Sequence, residues 1–365
     1  MPIYSRSSSK ARKPQPKRPP AFIAPQEGRI YLCPASSKIN RLDATFLSTC
    51  QRITQLDRQK RFAIILCWAI ALLVCQSPFT TAGETPAHGE GVAVGAQYDS
   101  THVYVSPHDL DDFVNSFVAT FGGQASKPSV TNVLPVPSST EFQYLWTPVG
   151  TLSVFAYQTP IPFPFGQERT GYLVVDMEQA IHDARSAGAE VIVEPFKDPA
   201  GIDAVIRWPG GVNMQLYWHT VPPKYGPLVT IPDNRVYVSR DEADTFVNDF
   251  VMFARGKVVS DEKHANAGEI GLPGQFYRRI RITSLFGKML VMVTDGQLPY
   301  PFGREMTGYE VADLGSTLTR ARAAGVKLLF GPYTASDRAS AVEEFPGGYI
   351  AEIHGPKAVA FGIQK

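Results

Sequence analysis

The chain has 365 residues and a formal net charge of +1, but residues 1–61 hold 13 Lys and Arg against 3 Asp and Glu, leaving 22 basic and 31 acidic residues in the remainder. An acidic globular part excludes a protein whose affinity comes from neutralising a phosphate backbone, so no nucleic-acid partner is expected. All four cysteines (Cys33, Cys50, Cys67, Cys75) precede residue 83, which removes disulfides and thiolate metal sites from everything that follows.

Residues 1–57 form a basic, Pro-rich segment, read either as disordered or as an over-extension of the reading frame, the next methionine after Met1 being Met177. Residues 58–82 carry Arg58–Arg61 and then fourteen uninterrupted apolar residues, Phe62–Cys75. That run is short of the roughly 20 residues needed to span a bilayer, but it suits the apolar region of a signal peptide. Ala82, with Thr80 two residues before it, is a cleavage site of small residues. The expectation is export to the periplasm or the medium, with a mature chain starting near Gly83. An uncleaved signal anchor is the alternative, and the only membrane contact expected. Lipidation of Cys75 is not expected, because Val74 is too bulky for such a signal.

From residue 98 the chain repeats itself. His102–Gly123 matches Arg235–Gly256 at an offset of 133 residues, whereas Ser186–Phe196 matches Ala323–Tyr333, and Trp208–Leu216 matches Phe345–Ile353, at 137. The loop "PFPFGQERTGY" at 162–172 likewise returns as "PYPFGREMTGY" at 299–309. Four residues are therefore inserted in the second copy, between its first helix and its proline loop. Two tandem units follow, at 98–222 and 230–356.

Within the first unit, "THVYVS" alternates as a strand does. Leu110, Phe113, Val114, Phe117, Val118 and Phe121 then follow the spacing of an amphipathic helix. "EFQYLWT" and "TLSVFAY" read as a hairpin around Pro148–Gly150. After the proline loop come a strand at "GYLVVD", a helix at 177–187 closed by Gly188, and strands at "AEVIVEPF", "AVIRWPGG" and "VNMQLYW". Each unit is thus two strand–helix–strand–strand modules. The proline loop reads as a rigid connection between modules; Glu168 and Glu305, also duplicated, would be the residues of a ligand gate.

"HVYVS" with its helix, "TGYLVVDMEQAIHDARSAGAEVI" and "WPGGVNMQLYW", taken in that order and repeated, resemble the glyoxalase/bleomycin-resistance/dioxygenase family, the vicinal oxygen chelate superfamily. The resemblance spans about residues 98 to 356. It implies an α+β fold of two tandem domains, each of two βαβββ modules whose mixed sheets curl around a cavity. It also implies a divalent metal, Zn, Ni, Fe or Mn, held by His, Gln or Glu on the first and last strands.

Carried over one at a time, the ligand positions of the first copy are His102, Ser153, Thr170 and Gln215, and those of the second are Arg235, Leu290, Thr307 and Glu352. Neither copy retains a ligand set. If sites form across paired domains, as the resemblance implies, one cavity gathers His102 and Ser153 with Thr307 and Glu352, and the other gathers Arg235 and Leu290 with Thr170 and Gln215. His102 and Glu352 are then the candidate metal ligands or, without metal, a general-base pair. Trp146, Tyr144 and Phe155 are candidate cavity walls. Arg279 and Arg281 share one strand face, read as a solvated one, and His219 and His354 read as solvated strand ends.

Two readings follow. One is an exported enzyme acting on a small oxygenated molecule in a cross-domain cavity, as a lyase, isomerase or dioxygenase-type activity. The other is a metal-free protein that binds or sequesters a small molecule without catalysis. Further oligomerisation is not required by either, because the domain pair is already fused.

Overall fold

The computed structural model describes residues 91–357, apart from 134–137, 167, 168, 222, 304, 336 and 337. The basic segment 1–57, the apolar segment 58–82, the four cysteines and Glu168 lie outside the described residues. No helix among the described residues is long and apolar enough to cross a membrane.

The periodic stretch after the first strand forms α1 (Leu110–Phe121), which buries Leu110, Phe113, Val114, Phe117 and Phe121, as its i, i+3, i+4 spacing requires. The Asp176 side chain caps α2 (Met177–Ser186) by accepting from Gln179 N, and Gly188 follows it at φ 95°, a left-handed conformation that a Cβ disfavours. The second copy repeats both helices as α3 (Ala243–Phe253) and α4 (Leu314–Ala323).

The first copy's strands are β1 (Ser100–Val105), β2 (Gln124–Ala125), β3 (Ser129–Thr131), β4 (Thr140–Thr147), β5 (Gly150–Tyr157), β6 (Thr170–Leu173), β7 (Glu190–Lys197), β8 (Gly201–Arg207) and β9 (Asn213–His219). They form one mixed sheet in the order β2, β4, β5, β1, β6, β9, β8, β7, with β3 also against β4. The second copy supplies β10 (Asp233–Val238), β11 (Lys257–Asn266), β12 (Phe276–Ser284), β13 (Gly287–Val293), β14 (Met306–Glu310), β15 (Lys327–Thr334), β16 (Arg338–Phe345) and β17 (Tyr349–Pro356). These are ordered β11, β12, β13, β10, β14, β17, β16, β15.

Each sheet joins both modules of its own copy where their first strands meet antiparallel. Thr101 faces Thr170 in one sheet and Asn234 faces Thr307 in the other. The architecture is the α+β pair of double βαβββ modules, each sheet curled as a half-barrel. Three local features depart from the sequence reading. Short β2 and β3 complete the first module, "WPGG" ends in the turn Pro209–Gly211 rather than in a strand, and His219 and His354 lie within final strands. The proline loop contains a cis peptide in each copy, Phe163–Pro164 and Tyr300–Pro301.

The convex faces are covered across copies. One core joins α1, β1 and β5 of the first copy to β14, α4 and β17 of the second, with Phe117 against Tyr309 (5.4 Å) and Phe345 (5.2 Å). The Arg320 Nε on α4 donates to Thr120 O on α1 at 2.9 Å. The other core joins α2, β8 and β9 to β10, α3 and β13, with Trp208 against Phe250 and Phe253. Phe117 is fully buried, so Phe117→Ala should cost about 3–5 kcal/mol. Because that ring bridges the copies, denaturant unfolding should remain one transition with a lowered midpoint. Independent melting of the copies would contradict the shared core.

Candidate functional site

Strand alternation turns Ser100, His102 and Tyr104 of β1 to the concave face of the first sheet, where they meet Ser153, Phe155 and Tyr157 of β5. Phe142 and Tyr144 of β4, Asp203 of β8, and Gln215, Tyr217 and His219 of β9 complete the walls of a cavity of about 250 Å³, at the small end for ligand pockets. Tyr225, from the connection between copies, also lines it.

Tyr104 stacks on Phe155 at 5.3 Å, and Phe155 sets its ring against that of His102 at 5.6 Å. Ser153 Oγ lies 2.7 Å from Ser100 Oγ. Beside His102 the chain has Gly171, where a Cβ would lie 2.7 Å from His102 Nε2 and 3.0 Å from Tyr217 Cε1. Only glycine leaves the imidazole its place. Burial, reinforced by Asp198, raises the Asp203 carboxyl well above the usual range, and burial lowers His219.

The second half-barrel has the same strands, and its centre is filled, with an open pocket of about 540 Å³ beside it that Asp233, Arg281, Leu290, Arg338 and His354 help to line. Its inserted residues contribute to the segment leading into β12, which includes the buried turn Ala267–Ile270. Ala267 and Ile270 pack with Leu290, Met292, Phe302, Met306 and Val342, and Glu269 is buried. Arg279 Nη1 donates to both Glu269 oxygens, at 2.8 and 2.9 Å, and Tyr277 OH donates to Oε1 at 2.5 Å. Arg235 Nη1 lies 3.0 Å from Glu352 Oε2, both side chains being 2% exposed, and Arg338 Nη2 is 3.2 Å from Glu352 Oε1. Burial alone would raise the Glu352 carboxyl, but Arg235 and Arg338 together hold it well below the ordinary range. Arg279 is therefore on a buried face and not, as its alternation suggested, a solvated one.

Most ligand positions gather within each copy, although His102 and Thr307 of the expected cross-copy set do line a smaller pocket of about 210 Å³ together, with Arg169 and Glu305. His102, Ser153 and Gln215 share the first cavity, while Arg235, Leu290 and Glu352 belong to the interior of the second sheet. Thr170 points to the convex side, where its hydroxyl donates to Asn234 Oδ1 at 3.1 Å. Thr307 is buried on the same side of its own sheet, near Tyr309 and Tyr349. Trp146 stacks on Tyr144 at 5.9 Å without lining the cavity. Tyr144 and Phe155 do line it.

A divalent ion needs three or four converging donors. The first cavity is lined by His102, His219, Gln215, Asp198, Asp203 and two mutually bonded serines, with glycine on the adjoining strand, but its imidazoles and carboxylates do not converge on one point. In the second interior the Arg235 guanidinium takes the position of the His102 imidazole and pairs with the remaining carboxylate. Among the described residues no group of three or more His, Cys, Asp or Glu side chains gathers to hold a metal. The residues present do not fit a bound divalent ion in either half.

Asp198, Asp203, Tyr217 and Gly171 escaped the sequence reading, as did Glu269 and Arg338. The repeat itself carried a signal for some of them. At the 137-residue offset Phe142 corresponds to Arg279, Asp203 to Ser340 and Gln215 to Glu352, so the two concave faces differ in charge.

Compared by sequence, the chain matches no family model and no curated protein. Its fold is similar to that of a triple mutant of 4-hydroxymandelate synthase from Streptomyces coelicolor (13% identity, TM-score 0.50, 74% of this chain and 93% of that one). It is also similar to the Mn(II)-bound glyoxalase from Novosphingobium aromaticivorans (13%, 0.44, 72% and 82%) and the 2,3-dioxygenase LapB from Pseudomonas sp. KL28 (11%, 0.44, 73% and 93%). The first of these likenesses shows the fold, which is the doubled βαβββ arrangement that the resemblance of the tandem modules implied.

Removing one partner of the buried ion pair leaves the other uncompensated, so Glu352→Gln should destabilise the protein by about 3–5 kcal/mol. The double variant Arg235→Leu, Glu352→Leu should lose less than either single variant. Because the native Glu352 carboxyl titrates below its unfolded value of 4.5, its contribution is present above that pH and is lost as pH falls through the native value. Urea midpoints against pH should drop more steeply below about pH 4.5 for the wild type than for the double variant. Equal slopes would show that the pair does not contribute to acid sensitivity.

Proposed function

We propose that the protein binds a small aromatic molecule in the first half-barrel, without a metal, and that the second half-barrel serves as its rigid structural partner. The observation that carries this reading is the contrast between the two interiors. One is an aromatic-walled cavity whose lining includes His102, Gln215 and His219, and the other has its centre filled by an inserted turn and internal ion pairs, with only an open pocket edged by charged side chains beside it. Fold alone does not confer catalysis, and Glu352, a candidate base in sequence, is neutralised by two guanidinium groups in a separate interior.

His102 supports a second reading, in which its imidazole moves a proton on a bound carbonyl compound as a lyase or isomerase would. We further propose that the chain is exported, on the strength of the apolar segment Phe62–Cys75 and the small residues before Gly83. Intact mass of the exported protein tests this: a chain starting near Gly83 supports it, and retention of Arg58–Ala82 favours the anchor.

Elemental analysis after incubation with Zn, Ni, Fe and Mn should find no stoichiometric metal. Titration with single-ring aromatics, followed by intrinsic fluorescence, should saturate, and Phe155→Ala should weaken that binding by about tenfold through loss of ring contact. One equivalent of metal that disappears in His102→Ala would overturn the metal-free reading. Turnover of a carbonyl substrate abolished by His102→Ala, with binding retained, would establish the catalytic one.

A further inference from the structure

The formally charged Asp, Glu, Lys and Arg side chains that line the first cavity are all acidic. Its lining includes Asp198 and Asp203, the latter held toward its protonated form by burial and by Asp198, so that the two act as one anionic pair, and among the described residues no Lys or Arg side chain lines it. Asp203 lies on β8 and Asp198 in the turn that leads into it, where Asp198 Oδ1 accepts from Ala200 N at 2.9 Å and Gly201 N at 2.5 Å. Arg169 stands 5.8 Å over the Tyr104 ring but does not line the cavity. His219 is held toward its neutral form by burial, against the pull of Asp198.

The remaining walls are rings: Tyr104 and Phe155 stacked, Phe142 edge-on to Tyr144 at 4.5 Å, and Phe196, Tyr217 and Tyr225. Aromatic faces carry negative potential and attract a cation within about 6 Å of the ring centre. Carboxylates among such rings add a long-range attraction of the same sign, strengthened where water is excluded.

The duplicated copy serves as an internal comparison. At the equivalent concave positions it has Arg235 for His102, Arg279 for Phe142, Arg281 for Tyr144, Ser340 for Asp203 and Ala335 for Asp198. One interior is thus cationic and self-neutralised by Glu269 and Glu352, while the other is aromatic and carries the Asp198–Asp203 pair with no Lys or Arg among its described lining residues.

We infer that the ligand of the first cavity is a small organic cation, an ammonium group borne on or beside an aromatic ring, with the charge received by Asp198 and Asp203 and the ring by the stacked walls. This inference rests on the ligand-binding reading of the same cavity. It assigns the two aspartates as the residues that select the ligand by charge.

Phenyltrimethylammonium, its uncharged isostere tert-butylbenzene, and benzoate are the probes, titrated into the full chain by calorimetry or intrinsic fluorescence. The cation should bind at least about tenfold more tightly than the isostere, and benzoate more weakly than both. Asp198→Asn with Asp203→Asn should bring the ratio of cation to isostere affinity close to one, and circular dichroism would confirm that the variant is folded. If that variant fails to fold, Asp198→Asn alone should narrow the ratio. Saturable binding of the isostere or benzoate at equal or higher affinity than the cation would overturn the cation assignment and leave the ligand-binding reading standing. No binding by any of the three would overturn both.

Discussion

Each half-barrel sheet has an apolar convex face that its own copy covers only in part. The constraint satisfied throughout is that the helices and strands of one copy must bury that face against the modules of the other. Phe117 against Tyr309 and Phe345, and Trp208 against Phe250 and Phe253, are the centres of the two cross-copy cores. Packing of such density fixes the relative placement of the sheets. It also leaves both concave faces directed away from the shared cores, so that each interior can change without disturbing what holds the molecule together.

The two interiors took opposite courses under that freedom. In the second, Arg235 entered at the position of an imidazole, and a buried guanidinium is stable only with a desolvated partner. Glu352 supplies it, and the inserted turn brings Glu269 to do the same for Arg279. The charged groups at the centre of this interior pair with one another, and the space that remains is the open pocket edged by Arg281, Arg338 and His354. In the first, Gly171 leaves room for the His102 ring, aromatic side chains make the walls, and Asp198 and Asp203 provide the charge.

Much of the scaffold was legible because it rests on short-range periodicity. The spacing of Leu110 to Phe121 predicted α1, Gly188 marked the end of α2, and the 133- and 137-residue offsets disclosed both the duplication and its insertion. Strands β2 and β3 were missed because "QASKPSVT" has no apolar alternation; β4 recruits them by backbone pairing at Trp146, Leu145 and Phe142. The solvated reading of Arg279 failed for a related reason. Alternation tells which residues share a face and not whether that face meets water.

The sequence by itself determined the duplication, the order of strands and helices and the apolar faces, because each is written in residue spacing, while the βαβββ module and the incomplete set of metal-ligand positions were what the family resemblance implied. Only the tertiary structure decided which positions share an interior. His102 meets Gln215, and Arg235 meets Glu352, because β1 pairs with β6 and β10 with β14 inside their own sheets. Strand pairing of that kind is a long-range choice, set by how two convex faces bury one another, and no local pattern records it.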